Sequence, residues 1–154
     1  TVRGIYRERP LTRVVFDRRL RTPAQARLLS THEAGPVIIV TTEAGAARTG
    51  ARQALEARGA RIDVAADGSF QSALERLGDQ EIGSLLLEGG AAVHRAAWDG
   101  RLVDFVRLYI TPVALRQGVP FLEDCGFATG NLVERRVETL GSDVLIEGYV
   151  HRPD

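Results

Sequence analysis

The run Pro36-Val37-Ile38-Ile39-Val40-Thr41-Thr42 constrains this chain more than any other stretch. Its four consecutive β-branched aliphatic residues leave no polar side for water, so it reads as a strand buried on both faces, flanked by Gly35 and Gly45. Such a strand must be covered from two sides. The rest of the chain offers the covers, because short β-branched runs alternate with amphipathic helical windows. Residues 12–16 form a short strand closed by a polar Asp17-Arg18-Arg19 turn. Residues 46–58 place Ala47, Ala51, Ala54 and Leu55 on one helical stripe with Arg48, Arg52, Glu56 and Arg58 outside, and Gly59 stops the helix. Residues 61–65 make a weaker strand. Ser69 then caps a helix whose apolar face is Phe70, Ala73, Leu74 and Leu77.

Further along, residues 82–87 read as a central strand left through Glu88-Gly89-Gly90, residues 91–99 as a helix, and residues 105–111 as a strand ended by Pro112. Residues 115–130 lack a clear period and read as surface loop. Two long strands, 131–140 and 143–151, are joined by the hairpin signal Gly141-Ser142. These elements predict an α/β fold, a three-layer αβα arrangement with a mixed, mostly parallel sheet and a C-terminal antiparallel hairpin. With 154 residues, the chain reads as one domain spanning 1–154.

Composition closes several functional classes. All 20 basic residues are Arg, balanced by 20 acidic ones. Without Lys there is no Walker-type phosphate loop and no lysine Schiff base; the glycines at 45 and 50 have that loop's spacing but continue Ala51-Arg52. A single cysteine, Cys125, allows neither an internal disulfide nor a Cys-based zinc cluster, and suits a reducing cytoplasm. No apolar run approaches the ~18 residues of a membrane helix. Zero net charge argues against nonspecific nucleic-acid binding. His32-Glu33 reverses the His-x-Glu order of zinc deaminases, the Pro-Cys-x-x-Cys half is missing, and no other metal-ligand spacing or Ser/His/Asp arrangement stands out.

The segment from Leu85 to Ala96 carries the most chemistry. An apolar run passes through Gly89-Gly90 directly into a helix, which offers backbone N–H groups and a positive dipole end to a phosphate. A tight turn that binds nothing is an equal alternative. Glu88 ends three leucines, so it either points into a polar cleft or accepts hydrogen bonds from the helix terminus. Arg3, Arg18 and Arg19 have guanidinium forks suited to phosphate oxygens, against the alternative of solvated turns. No residue identifies itself as a proton donor.

Leu87-Glu88-Gly89-Gly90, the helix after it, and Gly100-Arg101-Leu102-Val103-Asp104 running on through Thr111-Pro112 resemble the reductase domain of the bifunctional riboflavin-biosynthesis deaminase-reductase. Thr1-Val2-Arg3 is similar to the end of that family's Asp-Asp-Pro-x-Leu-Thr-Val-Arg segment, and residues 10–17 resemble its next strand. The resemblance implies a dihydrofolate reductase-like fold and NADPH as cofactor. It implies reduction of the ribosyl group of 5-amino-6-(5-phosphoribosylamino)uracil to a ribityl chain. Carried over by position, Gly90, Ala91, Ala92, Val93, His94, Arg95 and Ala96 cradle the cofactor's pyrophosphate, with Gly89 beside them. Glu88 contacts substrate, and Arg3 helps to hold the substrate phosphate. Arg18 takes a cofactor-contact position where the family often has a small hydroxyl residue; an Arg there suits the extra phosphate of NADPH. By analogy with dihydrofolate reductase, the Gly89–Gly90 peptide is expected to be cis. The expected partners are a phosphorylated pyrimidine and a second copy of the chain, with no nucleic acid and no membrane.

The family's reductase starts with a strand and helix before the Thr1 position, and a zinc deaminase half precedes it. The chain is therefore expected to be N-terminally incomplete, in keeping with the absence of Met. Two other readings stay open: a related reductase of another pterin or pyrimidine substrate, and a non-catalytic assembly module that dimerises through residues 102–112.

Overall fold

The computed structural model describes residues 10–114, 117–118 and 125–152. They form two compact units, Thr1–Ser84 and Leu85–Asp154, each with its own three-stranded sheet.

In the first unit β1 (Arg13–Phe16), β2 (Val37–Thr41) and β3 (Ala60–Val64) run parallel in that order, and every residue of β2 is buried. Alternation along β2 divides the interior in two. Val37 and Ile39 join Leu20, Leu29, Leu55 and Ala60 in one cluster, against which Val15, Ala51 and Ile62 pack. Ile38 and Val40 face the other way, into Ala65, Ala73 and Leu77, with Val14, Phe16 and Leu74 alongside. Each fully buried aliphatic side chain contributes about 1.5–3 kcal/mol, so this one strand supplies both cores. α2 (Thr49–Glu56) covers the first face and α3 (Phe70–Gly78) the second, which makes this unit the expected αβα sandwich. Ser69 caps α3 as expected, its hydroxyl oxygen accepting from the Ser72 N–H at 3.0 Å.

Residues 46–58 do not form one helix. α1 (Glu43–Ala46) comes first, capped by the Thr42 hydroxyl, which accepts from the Gly45 N–H at 3.2 Å. Arg48 then leaves the helical region with ψ 70° before α2 starts, so Ala47 and Ala54 of the expected stripe are exposed while Leu55 is buried. Thr49 and Gly50 propagate a helix poorly, which favours the break.

In the second unit α4 (Ala91–Asp99) spans its expected residues. β4 (Phe105–Ile110), β5 (Val133–Leu140) and β6 (Asp143–Tyr149) form an antiparallel sheet in the order β4-β6-β5. Gly141, at φ +66°, makes the hairpin turn between β5 and β6. Across the sheet Phe105 meets Tyr149 edge-on at 4.9 Å, and Arg107 Nε donates to Glu147 Oε2 at 2.7 Å. Trp98 of α4 donates its indole N–H to the Cys125 carbonyl at 3.0 Å and meets Phe127 edge-on.

Two sequence expectations fail here. Residues 82–87 take no regular structure among the described residues, although their exposure still alternates from Leu85 to Gly90 and Leu86 is 80% exposed. A strand exists only when a neighbour pairs with it, and this run carries Gly83-Ser84 followed by leucines that lack the β-branch. Without that strand, two parallel and two antiparallel pairings occur among the described residues, so parallel pairing is not the majority there.

Asp63, on β3, is 5% exposed and accepts from Arg76 Nε at 2.6 Å and from the Gln80 amide. Burial by itself pushes its carboxyl up, but the Gln80 and Arg76 hydrogen bonds and the Arg76 and Arg61 charges outweigh it, and the net pKa is lowered. A carboxyl with a depressed folded-state pKa stabilises the fold above its unfolded value, near 3.9, and that stability drains away as pH falls through the folded value. Asp63→Asn is therefore expected to lose about 1–2 kcal/mol at pH 7 in urea unfolding, and the gap should start to narrow as pH falls below about 4. A gap that stays constant from pH 7 down to the acid limit of folding would assign the loss to packing instead.

Candidate functional site

Because β1 and β2 are parallel neighbours, the segments after their carboxyl ends meet at one edge of the sheet. The Asp17–Leu20 turn there carries strain: Leu20 has φ +48° yet is only 1% exposed. Four successive carbonyls of the turn are held by donors. That of Asp17 accepts the Leu20 N–H at 3.0 Å, and that of Arg18 accepts the Thr42 hydroxyl at 2.9 Å. Arg48 Nη1 donates to the Arg19 and Leu20 carbonyls at 2.8 and 3.0 Å. The Asp17 carboxylate closes the turn from within, accepting from the Thr22 N–H at 2.6 Å and the Thr22 hydroxyl at 2.7 Å. Burial raises its pKa, but those two bonds and the Arg21 and Arg19 N–H groups outweigh it, so the net pKa is lowered.

The pinned turn borders a cavity of about 490 Å³ lined by Arg18, Arg19, Arg21, Thr42, Ala44 and Arg48. Among the described residues no carboxylate pairs with any of these four arginines, whereas Arg52, Arg76 and Arg107 each have one. Gly68, in the β3–α3 connection, lies beside the Arg18 guanidinium, for a Cβ there would sit 3.9 Å from its Nε. Four guanidiniums around one cavity, in a chain of zero net charge, concentrate positive charge and N–H donors of the kind that suit an anion. The sequence pointed to Arg18 and Arg19. It missed Arg21 and Arg48, the latter because helical periodicity placed it on an outer face; the weak helix formers Thr49-Gly50 were the available signal that the helix restarts there.

The remaining site residues belong to the second unit. Gly90 is the N-cap of α4, at φ −71° and ψ 173°, and no side chain caps the helix. The Val93 and His94 N–H groups donate to the Gly90 carbonyl at 3.0 and 3.2 Å, while those of Ala91 and Ala92 have no acceptor within the helix. A Cβ on Gly90 would meet nothing within 4 Å; one on Gly89 would sit 3.2 Å from the Val93 Cβ. Gly90 thus leaves an open approach to the helix end, and Gly89 gives the close packing beneath it. His94 Nε2 lies 3.3 Å from the Leu87 carbonyl and ties the helix back to the strand-like segment before the turn. Glu88, Ala92 and Ala96 are exposed, and Ala91, Val93, His94 and Arg95 are half-buried. The Gly89–Gly90 peptide is trans, against the expectation from dihydrofolate reductase. The turn closes with ordinary dihedrals at Gly90, so nothing offsets the ~2.5–4 kcal/mol that a non-proline cis bond costs. Arg3 lies outside the described residues. Among the described residues no cluster of metal-ligating side chains occurs, and no helix is long and apolar enough to cross a membrane.

Comparison with known proteins adds a family to this geometry. Residues 1–146 match the family described as the RibD C-terminal domain. The riboflavin biosynthesis protein RibD of Aquifex aeolicus is 25% identical over 150 residues, which cover 95% of this chain and 40% of that protein. Its counterpart from Actinobacillus pleuropneumoniae is 29% identical over 154 residues, covering 92% and 39%. That of Chlamydia muridarum is 32% identical over 130 residues, covering 82% and 34%. The chain thus spans about two-fifths of the length of the first two relatives. A crystal structure of a pyrimidine reductase-like protein from Corynebacterium diphtheriae shares the mixed α/β fold, with a TM-score of 0.61 at 18% identity over 91% of this chain and 61% of that one.

Two glycines test the pinned turn. A Cβ on Gly45 would lie 2.2 Å from Thr41 Oγ1 and 2.6 Å from the Arg18 carbonyl oxygen, so Gly45→Ala must push α1 away from the turn. It is expected to destabilise the protein by about 1–3 kcal/mol. Gly50, in α2, has nothing within 4 Å of its Cβ position, and Gly50→Ala should stabilise by about 0.5–1 kcal/mol. Thermal unfolding of the two variants checks the opposite signs; a neutral Gly45→Ala would mean that the turn is not clamped.

Proposed function

The chain belongs to the RibD C-terminal domain family, and from that membership we propose that it is an NADPH-dependent oxidoreductase of riboflavin biosynthesis. In this reading it reduces the ribosyl group of 5-amino-6-(5-phosphoribosylamino)uracil to the ribityl chain. The family match over residues 1–146 carries the proposal. NADPH supplies the hydride, and the protein supplies binding, orientation and charge.

The residues present fit such a cofactor. The uncapped first turn of α4 offers the Ala91 and Ala92 N–H groups to a pyrophosphate, and the empty space over Gly90 lets phosphate oxygens reach them. Residues Gly90 to Ala96 are the proposed pyrophosphate contact, with the His94–Leu87 contact holding the turn in shape. Arg18 is a second cofactor contact. Glu88, exposed at the mouth of the turn, is the proposed substrate contact, and Arg3 the proposed partner of the substrate phosphate. The same reading carries a homodimer.

Gly90→Val is the direct test, because a Cβ there meets nothing within 4 Å, while a ligand approaching the helix end would meet the new side chain. Titration of protein into NADPH, followed by nicotinamide fluorescence, is expected to show binding by wild type and a loss of about tenfold or more in Gly90→Val, with a melting temperature lowered by no more than about 2–4 °C, the cost of a poorer N-cap. Gly89→Val, which crowds Val93, should lower the melting temperature as well. Glu88→Gln should leave NADPH binding intact and slow NADPH oxidation with the aminopyrimidine substrate. Absence of NADPH binding by the wild-type chain would overturn the proposal. Binding without oxidation would favour a non-catalytic assembly module.

A further inference from the structure

The antiparallel sheet of the second unit ends in a strand with an open side. Among the described residues β5 (Val133–Leu140) pairs with β6 alone, and no backbone hydrogen bond reaches its outer edge. Every residue from Glu134 to Leu140 is exposed, Val137 at 60%. A free edge of this kind is a template for another strand, and proteins blunt such edges with bulges, prolines or charged side chains. β5 has a bulge only at its start, where the register with β6 shifts between Val133 and Arg136 and Glu134 takes φ +52°. From Arg136 onward the strand is regular and holds no proline, and its two charges, Arg136 and Glu138, are of opposite sign on one face.

We propose that two copies of the chain join β5 to β5, antiparallel about a two-fold axis at Val137, and so merge their three-stranded sheets into one. The identity of the partner rests on the homodimer proposed above; the surface rests on this edge and its charges. Two-fold symmetry admits only registers in which one residue lies opposite its own copy, because a contact from i to j is repeated from j to i. Centred on Arg135 or Arg136, the pairing sets arginine against arginine, and centred on Glu138 it sets glutamate against glutamate. Centred on Val137, it sets Arg136 opposite Glu138 of the partner subunit and repeats that pair across the axis, while the valines meet on the other face. Among the described residues neither Arg136 nor Glu138 is already in a salt bridge. Both border a cavity of about 420 Å³ with Val137, Leu145 and Glu147; Arg107 occupies Glu147, so Glu138 is the carboxylate left for an incoming guanidinium. β4 also has a free edge among the described residues, but Arg107 is its one charged residue and is paired with Glu147, so no register there brings opposite charges together. The interface thus lies on β5 rather than on residues 102–112. Pairing occupies the β5 edge of both copies, and the assembly closes at two.

The test is sedimentation velocity of the 154-residue chain from about 1 to about 100 µM. Wild type is expected to be dimeric at the upper end and to dissociate on dilution, since one strand pairing buries less than a standard interface. Glu138→Arg puts like charges together on both sides of the axis and should weaken the dimer by about tenfold or more, and Arg136→Glu should do the same. The double variant, Arg136→Glu with Glu138→Arg, restores opposite charges in this register alone and should return to within about threefold of wild type. A folding defect would not be repaired by the second substitution, and both side chains are exposed, so far-ultraviolet circular dichroism should be the same for all four proteins. A dimer indifferent to the single variants, a double variant as weak as either single one, or growth past the dimer would overturn this surface and leave the homodimer standing. A wild type that stays monomeric at about 100 µM would overturn the homodimer with it, whereas the oxidoreductase reading stands or falls on the NADPH titration above.

Discussion

A strand with no face toward water governs the first unit. Because β2 is buried along its whole length, its odd and even residues must find different partners, and the chain has to place a helix on each side. That requirement orders the sheet as well. Parallel neighbours joined by crossover segments bring their carboxyl ends to the same edge, so the polar segments after β1 and β2 have nowhere to go but toward each other. The hydrogen bond between Thr42 and the Arg18 carbonyl is a downstream product of the aliphatic run at 37–40.

Elements were legible in the sequence where local chemistry and tertiary burial make the same demand. The four aliphatics of β2, the Ser69 cap and the uninterrupted helix after Gly90 satisfy both, and each lies where its residues placed it. The failures share a physical origin. Residues 82–87 are apolar enough for a strand, but strand formation is a property of a pair, and one segment does not disclose whether a neighbour will hydrogen-bond to it. The stripe at 46–58 satisfied helical spacing, yet Arg48 is drawn out of the helix by carbonyls 28 and 29 residues away. No window of periodicity reaches that far. Of the candidate site, the glycine turn and Arg18 were legible because their residue types are unusual where they stand. Arg21 and Arg48 were not, because an arginine on a surface is ordinary until a cavity gathers several.

The two proposed anion contacts, one in each unit, would use two different kinds of recognition. Around Gly90 the donors are backbone N–H groups, fixed in direction by the helix, and the relevant variable is how closely a ligand can come. Around Arg18 the donors are side chains on long flexible stems, which lose entropy on binding unless something holds their base. The clamps on the Asp17–Leu20 carbonyls hold that base, and this explains why so many hydrogen bonds converge on so short a turn. The separation into rigid amides and preorganised guanidiniums also explains why substitutions at the two places are expected to act differently: one through steric access, the other through order.

Position 20 shows how such a turn limits the drift of its own sequence. Its backbone favours glycine or asparagine, the residues that reach positive φ at least cost. Its side chain, buried among Leu29, Val37, Ile39 and Leu55, favours a large aliphatic. No residue satisfies both. Glycine would relax the dihedral and empty the core, while valine or isoleucine would fill much of the space and sharpen the backbone clash. Leucine is the compromise, and any replacement worsens one side unless a neighbour changes in the same step. Variation at this turn should therefore arrive in coupled pairs, with residue 20 moving together with the aliphatic residues it touches.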